Sequence, residues 1–258
     1  MQILLADAKI MREWMDREPE RGPRFQVYAD MIAEEMACMD IEELSRQLKC
    51  NHRIAAEVWR RYHEFKRSKK MPAILAYNGQ AYKHLRADTL NEDALRFGQE
   101  HLWITSFLYG MLRPMDGIVA YRMEHNVRLD LTEEKPVGSY WRDKLTDVLI
   151  ESVKEDDGIL VHLATEEYEH LFDWKRICRE VRVIQPQFYV RQKDGEIKIQ
   201  AVWAKTCRGA MVRMILERQI ANPEEILSFA YEGFEYMPES EEDQPHYIRA
   251  RSIKFLGS

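Results

Sequence analysis

The chain has 258 residues, of which 45% are hydrophobic, 32% charged and 10% aromatic, and its formal net charge is −6. That length can bury a sizeable core, and the composition is that of a globular protein, not a disordered or fibrous one. The acidic balance excludes a globally basic nucleic-acid coat protein but leaves room for a local basic groove, because binding follows the nearby field and not the total charge.

The first segment, "QILLADAK", is a short apolar run that reads as a strand ending near Lys9. Asp7 interrupts the run and no basic stretch precedes it, so an export signal is not expected. From Tyr28 to about Arg67 the pattern is helical. Asp40 followed by Glu43 has capping-box spacing at the head of "MDIEELSRQL", Asn51 breaks the run, and Ile54, Val58, Tyr62 and Phe65 resume it. The spacing predicts a helix-turn-helix pair over 40–68. "PAILAY" then reads as a buried strand closed by the turn Asn78-Gly79.

"TLNEDALRFGQEHLW" is helical, "YRMEHNVRLDL" alternates like a strand, and "SYWRDKLTDVLIESV" is an amphipathic helix with Ser139 placed to cap it. "GILVHLA" is a buried strand leading into a short helix at "TEEYEHLF". In "QFYVRQKDGEIKIQAVWA", Asp194-Gly195 separates two alternating runs, the pattern of a hairpin whose second strand leads to Lys205. Asn222-Pro223 ends the next helix, and "YEGFEYMPESEEDQPHYIRAR" reads as an acidic loop flanked by an edge strand. With no repeat, no Gly/Ser linker and no regular βαβ rhythm, the expected fold is a single α+β domain over 1–258: a mixed sheet, surrounding helices, and the pair 40–68 as a subdomain.

Four cysteines without a C-x-x-C pair read as reduced thiols of a cytoplasmic protein. No apolar run approaches the roughly 18 residues of a spanning helix, so no membrane contact is expected. The P-loop, G-x-S-x-G, G-x-G-x-x-G, H-E-x-x-H and EF-hand patterns are all absent, and no histidine has ligand spacing. No metal site and no cofactor are expected.

The informative residues are cations. If the strand ends near Ala204 and a helix starts near Arg208, then Gly209 lies in its first turn, where free N–H groups together with Lys205 and Arg208 make an anion site. Arg213 and Glu217, four apart, equally suit a pair along that helix. Arg113, Arg122 and Arg128 fall in or beside loops made by Gly110, Pro114 and Gly117, where binding groups concentrate. Their structural alternatives are a helix cap for Arg113 and an acidic partner for Arg122. Tyr77, Tyr82 and Lys83 surround the Asn-Gly turn. Residues 49–70 hold eight Lys/Arg against two Glu, a net of +6 in a chain of −6. That asymmetry is an electrostatic footprint of nucleic-acid contact, or else a solvated helix face. Within it Arg53, Arg60, Arg61, Lys66 and Arg67 are the candidate contacts. Glu166-Glu167, with Tyr168, follows a buried strand, which suits either a carboxylate placed at its C-terminal end or a surface helix start, where acids suit the dipole.

Taken in order, "AK" (Ala8-Lys9), "YNGQAY", "LYGMLRPMDGIVAYRME", Tyr140-Trp141, "HLATEEY" and "AKTCRGAMVRMI" resemble the YaaA family of bacterial peroxide-stress proteins nearly end to end. The resemblance implies a cytoplasmic protein that limits damage driven by peroxide and unincorporated iron. It also implies DNA binding through a positively charged cleft and a helix-hairpin-helix-like element, on a fold unlike common enzyme superfamilies. Carried over by position, Lys9, Lys83, Arg113, Arg122, Arg128, Lys205, Arg208 and Arg213 match its basic motif residues, and the pair 41–66 matches its helix-hairpin-helix. The family's Ser-Pro before "AK" is Ala6-Asp7 here, the lysine after "EY" is replaced by Glu169-His170, and "LKCNHRIA" lacks the glycines that bring backbone N–H groups close to phosphate.

Two functions follow. One is a binding protein whose cationic cleft grips phosphates of duplex DNA without reading sequence. The other is an enzyme acting on a nucleotide or phosphoester held by the same cations, with Glu166 or Asp7 as acid/base. Direct iron sequestration lacks ligand spacing.

Overall fold

Consecutive apolar side chains make β1 (Gln2–Ala6) a strand buried along nearly its whole length. It opens a computed structural model that describes residues 1–249. Helices α1 (Gln26–Cys38), α2 (Ile41–Gln47) and α3 (His52–His63) follow. Asp40 caps α2 by accepting from the Glu43 amide at 2.8 Å, and Asn51 caps α3 by accepting from the Ile54 amide at 3.0 Å. The expected helix pair therefore forms, with Ala55, Val58 and Tyr62 as the buried stripe of α3.

"PAILAY" is not a strand. Only Pro72, at the end of β2 (Met71–Pro72), and Tyr77, which bridges Met11, are extended, and α4 (Ala73–Ala76) starts directly after Pro72, whose fixed φ of −55° suits the head of a helix. All four α4 residues are buried, so an apolar run without periodicity hid a buried helical turn. Next come α5 (Gln80–Leu85), α6 (Glu92–His101), β3 (Leu102–Ser106), β4 (Gly110–Leu112) and β5 (Gly117–Ile118). The alternating "YRMEHNVRLDL" also fails as a strand. Val127 and Leu129 are buried, but the Arg128 amide donates to the Gln47 side chain at 3.2 Å, and the segment's one bridge joins Arg128 to Pro136. Ser139 lies inside α7 (Val137–Tyr140) and its hydroxyl donates to the Pro136 carbonyl at 2.7 Å, so it does not cap α8 (Arg142–Asp156).

The expected strand β6 (Ile159–Leu163) runs into a 3-10 turn at Glu166–Leu171, then α9 (Trp174–Glu180) and β7 (Arg182–Ile184). β8 (Gln187–Arg191) and β9 (Ile197–Ile199) form the hairpin expected around Asp194-Gly195. α10 (Ala201–Arg218) begins earlier than expected, so Ala201–Ala204 are helix, not strand. It ends on the left-handed Gln219, φ 51°, ahead of Asn222-Pro223. The acidic stretch expected as a loop pairs as a hairpin, β10 (Phe234–Glu241) with β11 (Gln244–Arg249); its last residues, Ala250 and Arg251, lie outside the described residues.

The strands divide among three sheets where the sequence suggested one. The five-stranded sheet has order β4-β3-β1-β6-β7, parallel except for the antiparallel β3–β4 pair. A four-stranded sheet has order β10-β11-β8-β9, with β8 and β11 parallel, and β2 pairs with β5. The architecture is α+β with mixed sheets and helices around them, as expected. Among the described residues no helix is long and apolar enough to cross a membrane.

Candidate functional site

β1 lies between β3 and β6, and the chain visits β3 on one side before crossing to β6 on the other. The carboxyl ends of β1 and β6 therefore flank a switch point, the place where open α/β sheets leave a crevice. A cavity of about 240 Å³ occupies that place, lined by Asp7, Gln80, Tyr82, Tyr168, Lys205 and Arg208 among others.

The floor of this cavity is a hydroxyl network around one carboxylate. Tyr121 donates to Asp7 Oδ2 at 2.6 Å, and Tyr168 donates to Asp7 Oδ1. Because Tyr121 spends its proton on the carboxylate, it accepts from Tyr77 at 2.8 Å and from Ser106 at 2.6 Å. Tyr82 donates to the Ala6 carbonyl at 2.9 Å, and Tyr168 stacks on Phe107 with centroids 4.6 Å apart. Burial raises Asp7 to about 6, against the pull of its two tyrosine hydrogen bonds, and Glu167 and Glu124 add to the rise. Burial also holds the four tyrosines Tyr77, Tyr82, Tyr121 and Tyr168 protonated far above neutral pH.

The cations at the rim come from α10. Lys205 is exposed and Arg208 half-buried, four and seven residues after Ala201. Among the described residues neither makes an ion pair or side-chain hydrogen bond, and the buried Arg208 Nε has no hydrogen-bond partner there. Burial pushes Arg208 below the ordinary arginine range, while the charge of Glu166 works the other way. Because α10 starts at Ala201, these cations sit within the helix, and its free N–H groups lie elsewhere. Gly209 is likewise not in a first turn. It is buried where α10 crosses α5, and a Cβ there would lie 1.8 Å from the Ala81 carbonyl oxygen. Its lack of a side chain serves helix packing.

Of the other cations expected from sequence, Lys9 borders the same cavity and the rest disperse. Lys9 pairs with Glu124 at 2.5 Å, and Arg122 pairs with the same carboxylate at 3.0 Å; both residues also line a neighbouring hollow of about 290 Å³. Arg213 donates to the Leu85 and Arg86 carbonyls at 3.0 and 2.9 Å, to Thr89 at 2.8 Å, and pairs with Glu217 at 2.5 Å, so its guanidinium is spent closing the end of α5. Arg113 is at the opposite end of the sheet. It donates to Gln2 Oε1 at 3.1 Å and the Leu102 carbonyl at 3.2 Å, the first residues of β1 and β3, and lies 3.5 Å over the Trp103 ring. The length of β1 puts this about 13 Å from the Asp7 end. Burial pushes Arg113 down to about 9, with Arg21 adding to the effect. Arg128 is exposed and donates to the Glu134 carbonyl; Lys83 is exposed on α5.

On the helix pair, Arg60 pairs with Glu64 at 2.7 Å, Arg61 with Glu13 at 2.5 Å and with Glu57, and Lys66 with Glu34 at 2.6 Å. Arg53 and Arg67 are exposed without such partners among the described residues. The net charge of the stretch is therefore partly offset by acids brought alongside from elsewhere in the fold.

Sequence reading did not find Tyr121 or Ser106. The one signal within reach was the tyrosine-bearing segment "TEEY", which follows the end of the buried strand β6. No group of three or more potential metal ligands occurs among the described residues.

Residues 1–240 match the family model described as peroxide stress protein YaaA. A UPF0246 protein of Bacteroides thetaiotaomicron is 43% identical over 217 residues, 83% of this chain and 84% of that protein. UPF0246 proteins of Porphyromonas gingivalis and Bacteroides fragilis are 42% and 40% identical, each over 96% of this chain and at least 97% of their own length.

Proposed function

The chain belongs to the peroxide stress protein YaaA family, and from that premise we propose that it serves the peroxide response in the cytoplasm by binding duplex DNA, limiting damage driven by peroxide and unincorporated iron. The observation that carries the reading is the pair Lys205 and Arg208. They are two cations held at one rim with no acidic or hydrogen-bonding partner among the described residues, in a fold that pairs most of the other candidates internally. A guanidinium with an unpartnered buried Nε is a donor without an acceptor, and phosphate oxygens supply what it lacks. Lys83, Arg53 and Arg67 are exposed cations without ion-pair partners among the described residues, and contacts of that kind to phosphate position a protein without reading sequence.

Titrating a labelled duplex at several salt concentrations tests this. The Lys205→Ala, Arg208→Ala double variant should bind on the order of a hundredfold more weakly on any sequence, since a charge-assisted contact is worth about 1.5–3 kcal/mol. Its log–log salt slope should fall by about 1.8, near 0.9 for each phosphate no longer neutralised. A variant that melts early yet binds normally would show that these cations hold the fold together instead.

The second reading, chemistry on a nucleotide or phosphoester, is favoured by Asp7 titrating near 6 inside the same cavity, a value suited to proton transfer near neutral pH. Phosphoester turnover that disappears in Asp7→Asn would support it.

A further inference from the structure

The cavity beneath Lys205 and Arg208 has the wrong scale for a duplex and the wrong chemistry for phosphate alone. Its room of about 240 Å³ lies below the roughly 300–1,000 Å³ of sites that enclose a whole drug-sized ligand. A ligand seated there enters in part. Its walls are mainly apolar or aromatic, from Leu5, Ala81, Leu163, Tyr82 and Tyr168, its floor is the Asp7 carboxylate, and Glu167 and the Glu124-paired Lys9 also border it. A carboxylate repels phosphate, so the anionic part of the ligand stays at the cationic rim. What goes inward is flat or apolar on its faces and donates hydrogen bonds at its far edge.

The walls are also held in place beforehand. Tyr82 is tied to the Ala6 carbonyl at 2.9 Å, Tyr168 to Asp7 and Phe107, and Asp7 to Tyr121. Each Asp7 oxygen accepts one tyrosine hydroxyl and keeps capacity for a further donor. An apolar slot with a fixed acceptor at its floor and two free cations at its mouth has the polarity of one nucleotide.

Building on the reading that the rim binds phosphate, we propose that this cavity receives a single nucleobase, with its phosphate on Lys205 and Arg208 and its ring N–H groups donating to Asp7. The base comes either from a duplex, extruded where pairing is weakest, or from a free mononucleotide. Extrusion costs least at a mismatched or unpaired base, so the two sources separate experimentally.

The test uses the full chain and three probes at one salt concentration: a matched duplex, the same duplex with one unpaired base, and guanosine monophosphate. If extrusion is the source, the unpaired-base duplex binds at least about tenfold tighter than the matched one. Thr165→Trp, which fills the cavity and keeps both cations, brings that ratio to about one. Asp7→Asn, nearly identical in shape, is the check if the tryptophan variant does not fold; it should lower the ratio and change which unpaired base is preferred. If a free nucleotide is the source, the duplex ratio is about one from the start, while guanosine monophosphate binds the wild type and not the variants. A ratio of one together with no mononucleotide binding overturns the proposal. A preference that survives both variants overturns it as well. Absence of matched-duplex binding alongside nucleotide binding would instead sink the duplex reading and leave this one standing.

Discussion

Gly209→Ala is a one-atom perturbation whose sign the structure decides against helix propensity. The added Cβ would lie 1.8 Å from the Ala81 carbonyl oxygen, 2.6 Å from its carbonyl carbon and 2.9 Å from its Cα. A carbon–oxygen contact rests near 3.3 Å, so α10 and α5 must part by roughly 1.5 Å. All three obstructing atoms are backbone, which no rotamer change can move. Parting the helices also strains the Gln80–Thr206 hydrogen bond of 2.8 Å and the Arg213 contacts to the end of α5. Overpacking of this kind costs about 1–3 kcal/mol, and unrelieved backbone contact places it at the upper end. Alanine in a helix interior recovers about 1 kcal/mol. The expected net is a loss of about 2 kcal/mol, or a fall of about 4–8 °C in Tm for a chain of this size. Gly209→Val, with two more methyl groups, should fall further. Differential scanning calorimetry of the three proteins measures this. A Gly209→Ala protein that melts at or above the wild-type temperature would refute the close helix approach.

Three further outcomes are expected. Asp7 is held in the fold at about 6 against an ordinary 3.8, so the folded state binds its proton more tightly; stability contributed by that proton is full below about pH 4 and is lost as pH rises through 6. The unfolding free energy of the wild type, from urea titrations, should therefore decline across that window relative to Asp7→Asn by an amount on the order of 2–3 kcal/mol, and parallel profiles would remove Asp7 as the cause. Arg213→Met should cost about 1–2 kcal/mol by leaving the Leu85 carbonyl without its donor, while the Arg86 carbonyl keeps the Thr89 amide and hydroxyl, with duplex affinity unchanged; a Tm equal to wild type would contradict it. Replacing Arg60, Arg61, Lys66 and Arg67 by Ala should weaken duplex binding alike on all sequences and cut the salt slope by about 0.9 for each phosphate left unneutralised, whereas an unchanged slope would identify a solvated face whose cations remain on Glu13, Glu34, Glu57 and Glu64.

Sequence by itself determined those features whose causes are local. Asp40 and Asn51 cap helices because a short polar side chain reaches an amide three residues on, and Asp194-Gly195 turns a hairpin because its backbone geometry suits so few other residues. The buried strands β1 and β6 and the i, i+4 pair of Arg213 with Glu217 are legible for the same reason. Tertiary structure decided what depends on neighbours distant in the chain. "PAILAY" is apolar throughout, so its pattern suits a strand or a helical turn equally, and its surroundings selected the turn. "YRMEHNVRLDL" alternates, but a strand needs a partner ladder and none lies beside it. The start of α10 moved Lys205, Arg208 and Gly209 from a helix head to a helix interior, turning an expected anion-site glycine into a packing glycine. Tyr121 and Tyr168 lie 114 and 161 residues along the chain from Asp7, the carboxylate they share. Only the folded sheet brings them together, because a hydrogen bond needs atoms within about 3 Å and sequence spacing sets no such distance between segments this far apart.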